Sequence, residues 1–214
     1  MLKKKPFFIV FEGIEGCGKS YQSKKLFSNL VQKGLSTVLT REPGGTKSAE
    51  LIRGLILKDY FGLHKINKFD KYTDTLLYLA ARNEHIKFKI KPALLKKKIV
   101  ICDRFIDSTF AYQVFGKKVD ALFIKNIHKK ILDGIKPDLT FILKVNVSSA
   151  AKRLKKRKQT NRYDKFPKLF YIKAQQSFLK MAKNKNNYKI FDSSANTPFL
   201  EKKILSIVLN RLNK

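Results

Sequence analysis

Apolar and polar positions along the chain fall into two alternating kinds of segment. Short apolar runs occupy Phe7 to Phe11, Ser36 to Thr40, Lys98 to Cys102, Leu139 to Val145 and Tyr188 to Phe191. Runs this short, rich in β-branched and aromatic residues, predict buried strands. Between them, apolar residues recur at helical spacing over Lys19 to Lys33, Ser48 to Leu57, Tyr72 to Ile90, Asp120 to Leu132, Phe166 to Lys183 and Thr197 to Leu212. Gly34 stands where the first helix needs a C-terminal cap, and Gly134 ends the fourth. Pro92 marks the end of the third or a kink in it, and Ser148 can cap a helix that follows the fourth strand. Lys58 to Lys71 is basic and less regular. Strand, helix, strand in this order implies right-handed crossovers and a parallel sheet. The expected fold class is α/β, a five-stranded parallel sheet flanked by helices. Residues 1–214 form a single domain, with no internal repeat and no dividing linker.

The turn after the first strand changes the picture from architecture to chemistry. Gly13, Gly18, Lys19 and Ser20 satisfy G-x-x-x-x-G-K-[ST] between a strand and a helix, the context that a phosphate-binding loop demands. Glycine at 13, 16 and 18 lets backbone N–H groups turn inward around a polyphosphate, and the helix that begins near Lys19 points its positive end at the same anion. Lys19 supplies a point charge at the β- and γ-phosphates, and the Ser20 hydroxyl is a ligand for Mg²⁺. The plainer alternative is a glycine-rich turn with no ligand. The loop reading makes the fold a P-loop NTPase fold.

Net charge of +31 is the unusual property of the composition, against an ordinary 43% hydrophobic content. A nucleic-acid-binding protein has such a balance, but the lysines are scattered along the whole chain and only eight of the 47 basic residues are arginine. Arginine is the residue suited to phosphate geometry. Lysine is therefore read as solvated surface and each arginine as a candidate for specific work, with weak, nonspecific polyanion binding at low salt as a side effect. Cys17 and Cys102 make neither a disulfide framework nor a metal site, and Cys17 needs only to be small and buried inside the loop. His64, His85 and His128 are dispersed and receive no role. No apolar run is long enough to span a bilayer, and the first residues are too short in apolar length for a secretory signal, so a cytoplasmic protein is expected.

Further candidates sit at the ends of the other strands, where open α/β sheets hold ligands. Arg41 precedes the turn Glu-Pro-Gly-Gly-Thr46 and invites an anion. Asp103 ends an apolar strand, where a carboxylate suits a Mg²⁺ or water contact, and Arg104 after it suits a second phosphate. The plain reading, a capping Asp and a surface Arg, loses ground because Asp107, Ser108, Tyr112 and Gln113 follow as a polar row. Tyr78 and Arg82 share a helix face. The sequence alone favours core plus snorkelling surface over a ligand site for that pair. Residues 152–165 are the most basic stretch, with Arg153, Arg157 and Arg162 together. They form either a solvated face or a lid, about 153–166, that stabilises transition-state charge.

With these pieces placed, the chain resembles the thymidylate kinases over essentially its whole length. The likeness rests on FEGIEGCGKS (11–20), TREPGGT (40–46), LLYLAAR (76–82), DRFIDSTFAYQ (103–113), PDLT (137–140) and the arginine-rich lid. It implies transfer of the γ-phosphoryl group of ATP-Mg²⁺ to dTMP, giving dTDP and ADP, by a homodimer. ATP would be held by Gly13, Ile14, Glu15, Gly16, Cys17, Gly18, Lys19 and Ser20, and Mg²⁺ by Ser20 and Asp103. Glu15 would approach the acceptor's 3′-hydroxyl, and Arg41 and Arg104 would grip its 5′-phosphate. Tyr78 would stack on thymine and Arg82 bond a thymine carbonyl, while Ser108 and Gln113 line the base and Tyr112 the sugar. Lys19, Asp103, Arg104, Arg153, Arg157 and Arg162 would form the catalytic set, and residues 192–197 would flank adenine.

Three departures from the family's usual residues matter, at Tyr78, at Phe105 and in the lid. Tyr78 stands in place of Phe, so its hydroxyl needs a partner. Phe105 stands where Tyr or His is common. Asn161-Arg-Tyr-Asp164 replaces Asp-Arg-x-Glu, and Gly16 sits where some members carry a loop arginine, which assigns the catalytic arginine to the lid. A nucleic-acid-stimulated ATPase is the rival from another class; it would be expected to carry a second acid beside Asp103, where Arg104 stands instead. No specific nucleic acid and no membrane partner is expected.

Overall fold

The computed structural model describes residues 5–58, 69–156, 163, 166–195 and 198–213. Five parallel strands form one sheet in the order β2-β3-β1-β4-β5, with β1 Phe7–Glu12, β2 Thr37–Arg41, β3 Ile99–Asp103, β4 Leu139–Lys144 and β5 Tyr188–Asp192. All six residues of β1 are buried, as a central strand covered on both faces requires. Its side chains alternate between two cores. Phe7, Ile9 and Phe11 join Leu26, Leu30, Phe141 and Phe178 on one face, and Phe8 and Val10 join Ile86, Ile90 and Phe105 on the other. The strands end in step: Phe11 pairs with Asp103 and Arg41 with Asp103. Beyond them Arg104 N donates to Phe11 O at 2.9 Å and Glu42 N to Asp103 O at 3.0 Å. Three chain reversals are thereby gathered at one edge of the sheet.

The helices follow the expected order: α1 Lys19–Gln32, α2 Lys47–Leu57, α3 Lys71–His85, α4 Lys91–Leu95, α5 Ile106–Thr109, α6 Ala121–Ile131, α7 Val147–Lys155, α8 Lys168–Ala182 and α9 Pro198–Leu212. Gly34, at φ +74°, closes α1 by donating to Val31 O at 2.9 Å. Thr46 caps α2 through Ala49 N, Asp70 caps α3 through Tyr72 N, and Asp120 caps α6 through Phe123 N.

Two local expectations are corrected. Pro92 does not end the third helix. The α geometry stops at His85, a π-helical turn covers Ile86–Ile90, and Pro92 lies in the first turn of α4, where a missing N–H costs nothing. Ser148 is not the cap of α7 either. Asn146 is the cap, and its side-chain oxygen accepts from Ser148 N at 2.9 Å. The expected basic segment 58–71 lies largely outside the described residues. No described helix is long and apolar enough to cross a membrane.

Candidate active site

A cleft opens where the ends of β1, β2 and β3 meet, lined by the phosphate loop, the residues after β2 and β3, and one face of α3. The loop residues 13–18 are shaped by glycine where a side chain has no room. Gly13 has φ +139°, and a Cβ there would lie 2.5 Å from Leu143 O; Gly16 has φ +74° and would meet Ala150 O at 2.6 Å. Ile14 and Cys17 bury their side chains in the core, so they offer only backbone to a ligand. Lys19 is folded under the loop, with Nζ donating to Gly13 O at 3.0 Å and Ile14 O at 2.7 Å.

Ser20 Oγ donates to Asp103 Oδ2 at 2.5 Å, while Asp103 Oδ1 is buried with no hydrogen-bond partner among the described residues. A hydroxyl and a carboxylate with an orphaned oxygen are hard donors that fit Mg²⁺. Among the described residues no group of three or more His, Cys, Asp or Glu side chains could hold a metal. The remaining ligands would therefore be water and phosphate oxygens, as Mg²⁺ prefers.

Arg104 is the hub of one side of the cleft. Its backbone takes φ +77°, a costly conformation for a residue with a Cβ, which turns the side chain into the cleft. Nη1 donates to Gly13 O and Ser108 Oγ, and Nη2 to Glu15 Oε1 at 2.8 Å. Glu15 also accepts from the Tyr112 hydroxyl at 2.5 Å. Burial works to raise the Glu15 pKa, but Arg104, Lys19 and the Tyr112 hydroxyl outweigh it and hold the carboxyl below its ordinary value. Burial likewise works to lower the Arg104 pKa, and the surrounding carboxylates reverse that and raise it. Behind this pair Glu12, fully buried, accepts from Phe105 N at 2.7 Å and from Ser108 Oγ at 2.6 Å. Burial first, and the charge of Asp107 second, raise its pKa to about 8, with Arg104 and Ser108 opposing.

The other side of the cleft is a buried polar cage. Arg82 Nε lies 2.7 Å from Glu42 Oε2, Nη2 donates to Phe105 O, and Nη1 reaches Thr109 Oγ1. His85 joins Glu42 at 3.0 Å and Thr40 at 2.6 Å. Burial raises the Glu42 pKa, and Arg82 with His85 more than offsets it, so this carboxyl stays low. Gly45, at φ +93°, leaves the room that His85 occupies. The extra hydroxyl of Tyr78 has found its partner, donating to Tyr163 Oη at 2.6 Å. Gln113 lines the cleft with Nε2 buried and without a partner among the described residues. Phe105 packs edge-on against Phe8 at 5.0 Å.

The structure thus gathers Glu15, Lys19, Ser20, Arg41, Tyr78, Arg82, Asp103, Arg104, Ser108, Tyr112 and Gln113 around one cleft. Arg41 and Ser20 are the exposed members, Arg41 paired with Glu50 at 3.1 Å. Arg153 stands apart, on α7, donating to Gly16 O, Ser193 O and Ser194 O. Arg157 and Arg162 lie outside the described residues, as do residues 196–197 of the expected adenine loop. Sequence reasoning missed Glu12, Glu42, Arg53, His85 and His128. Arg53 lines the cleft and donates to Pro43 O at 2.6 Å; its rarity as an arginine was the available signal. Glu12 had one too, as a lone acid ending an apolar strand just before Gly13. The histidines had none.

Comparison with known proteins agrees with this geometry. The pattern of the family described as Thymidylate kinase matches residues 11–204. A thymidylate kinase of Wolbachia pipientis wMel is 44% identical over 177 residues, covering 82% of this chain and 84% of that protein. One of Geotalea daltonii is 37% identical over 214 residues, covering 96% and 98%. The crystal structure of thymidylate kinase from Ehrlichia chaffeensis superposes with a TM-score of 0.73 at 34% identity, over 95% of this chain and 99% of that one.

Proposed function

This chain belongs to the thymidylate kinase family, and from that premise we propose how its own residues carry phosphoryl transfer. It is a phosphotransferase that phosphorylates dTMP in dTTP synthesis. ATP is the donor, and its phosphates lie in the loop 13–20, where backbone N–H groups, the α1 N-terminus and Lys19 meet them. For Lys19 this means leaving the carbonyls of Gly13 and Ile14 for phosphate oxygen. Ser20 and Asp103 would hold Mg²⁺, which when bound neutralises charge on the transferring group.

The observation that carries this assignment of roles is the convergence of Arg104 and Glu15 beside the loop, joined at 2.8 Å. An acceptor monophosphate needs a cation for its phosphate and an acceptor of hydrogen bonds for its sugar hydroxyl. Arg104, helped by Arg41, supplies the first, and Glu15 the second. Tyr112 walls the sugar, Tyr78 stacks on the base, and Ser108 and Gln113 line it. The unpartnered Gln113 amide supports a base that presents carbonyl oxygens. The attacking atom is an ionised phosphate oxygen, so no general base is needed; the residues orient, neutralise and exclude water. Arg153 adds charge beside the donor, as its contact with Gly16 O supports.

The active form is a homodimer. Leu51 and Leu55 on α2, Leu76 on α3 and Leu122 on α6 are exposed apolar residues on helices that pack side by side, a face that a second copy would cover. The free, buried thiols of Cys17 and Cys102 suit a reducing, cytoplasmic setting.

A coupled assay of ADP release with dTMP, dUMP, dCMP, dGMP and UMP, with and without a chelator and with and without DNA, tests the assignment. Turnover selective for dTMP, abolished by the chelator and indifferent to DNA is expected. ATP hydrolysis stimulated by DNA, with no phosphate reaching any monophosphate, would overturn it.

A further inference from the structure

His128 lies on α6 and is not part of the cleft lining, yet it touches the residue assigned to the acceptor base. Its Nε2 stands 2.8 Å from Arg82 Nη1, and both side chains are buried, at 4% and 3% exposure. All three nitrogens of Arg82 are engaged. Nε and Nη2 each lie 2.7 Å from Glu42 Oε2, Nη2 donates to Phe105 O at 2.9 Å, and Nη1 serves Thr109 Oγ1 at 2.7 Å as well as His128. A guanidinium has no acceptor, so His128 Nε2 must be the bare nitrogen and the ring hydrogen must sit on Nδ1. Burial, then the charge of Arg82, lowers the His128 pKa to about 3, which keeps Nε2 an acceptor at working pH.

We infer that His128 is a positioning residue for acceptor recognition: it anchors one Nη1 hydrogen of Arg82 from behind, leaving the hydrogen now on Thr109, at the cleft wall, to be handed to a carbonyl of the acceptor base. Thr109 lines the cleft and His128 does not, so the Thr109 bond is the exchangeable one. Recognition then trades one hydrogen bond for another, without breaking the Glu42 ion pair. The inference rests on the reading that Arg82 faces the base.

Steady-state kinetics of His128→Ala, His128→Gln and Arg82→Gln, with dTMP and ATP varied in turn, test it. His128→Ala is expected to raise KM for dTMP about tenfold, the size of one hydrogen bond to a charged group, with a smaller change in kcat and KM for ATP unmoved. His128→Gln, whose side-chain oxygen can accept the same bond, is expected to recover most of that loss. An unchanged KM for dTMP in His128→Ala beside a raised one in Arg82→Gln overturns this inference alone. No change in either variant overturns the assignment of Arg82 to the base, and this inference with it. Nitrogen-15 spectra of the wild-type imidazole decide the matter even if the variants fail to fold: a hydrogen on Nδ1 with bare Nε2 supports the inference, and a hydrogen on Nε2 overturns it.

Discussion

Glu15 Oε1 and Arg104 Nη2 stand 2.8 Å apart, with side-chain exposures of only 12% and 15%. The pair joins the loop after β1 to the first residue after β3, so two sides of the cleft share one seam. Arg104 also holds Gly13 O, which makes its guanidinium a brace for the loop in addition to its proposed role as a cation for the acceptor.

Removing that side chain should therefore cost turnover and acceptor binding together. Arg104→Ala is expected to lose on the order of 100- to 1,000-fold in kcat/KM for dTMP, the usual cost of one group that stabilises transition-state charge. Near-normal kinetics would refute the role.

The backbone at the same residue makes a separate claim. At φ +77° a residue with a Cβ sits roughly 1–2 kcal/mol above glycine. Arg104→Gly should melt a few degrees higher than Arg104→Ala while both are equally impaired in catalysis. Coincident melting curves would show that the strain is absent.

Glu12 gives the fold a pH dependence. Its pKa rises from 4.5 to about 8, burial being the first cause and Asp107 the second. Between those values the native state keeps a proton that the unfolded chain has lost, so the contribution is full below 4.5 and is lost as pH rises through about 8. His128 acts the other way. Its native pKa of about 3 against 6.5 means that stability is lost as pH falls below 6.5. From pH 6.5 to 8.5 the wild type should lose thermal stability relative to Glu12→Gln, whose neutral amide keeps an acceptor for Phe105 N. Parallel melting profiles for the two proteins would rule this out.

The exposed leucines make the proposed dimer testable without touching the cleft. Leu51, at 76% exposure, changed to Glu should leave the melting temperature nearly unchanged and convert the dimer to a monomer in sedimentation velocity. A dimer that survives Leu51→Glu combined with Leu76→Glu would exclude this face as the interface.

The sheet was legible in the sequence because each strand is a separate apolar run between turns. The second strand was expected at Ser36 to Thr40 and stands at Thr37–Arg41. The π-helical turn at Ile86–Ile90 was not legible, since five residues are too few to tell one helical period from another. The phosphate loop, Asp103 and Arg104 were readable because their chemistry is local, a pattern of neighbours at the end of a strand. The cage around Arg82 was not. Glu42 and His128 lie 40 and 46 positions from Arg82, and His85, on the same helix as Arg82, meets Glu42 across 43 positions, so no short window along the chain joins the whole cage. Ser148 was misread because Asn146, two residues earlier, competes for the same helix end.

The position of β1 bears on how the protein comes apart. This strand has β3 on one side and β4 on the other, with β2 and β5 beyond them, and none of its six residues is exposed. Its amide hydrogens can exchange with solvent only when the whole domain opens. The loop that follows it is tied to β4 and α7 by the close approaches of Gly13 and Gly16. Peripheral helices can thus fray and re-form many times while the nucleotide loop keeps its shape, and the last feature to be lost on unfolding is the one on which the chemistry depends.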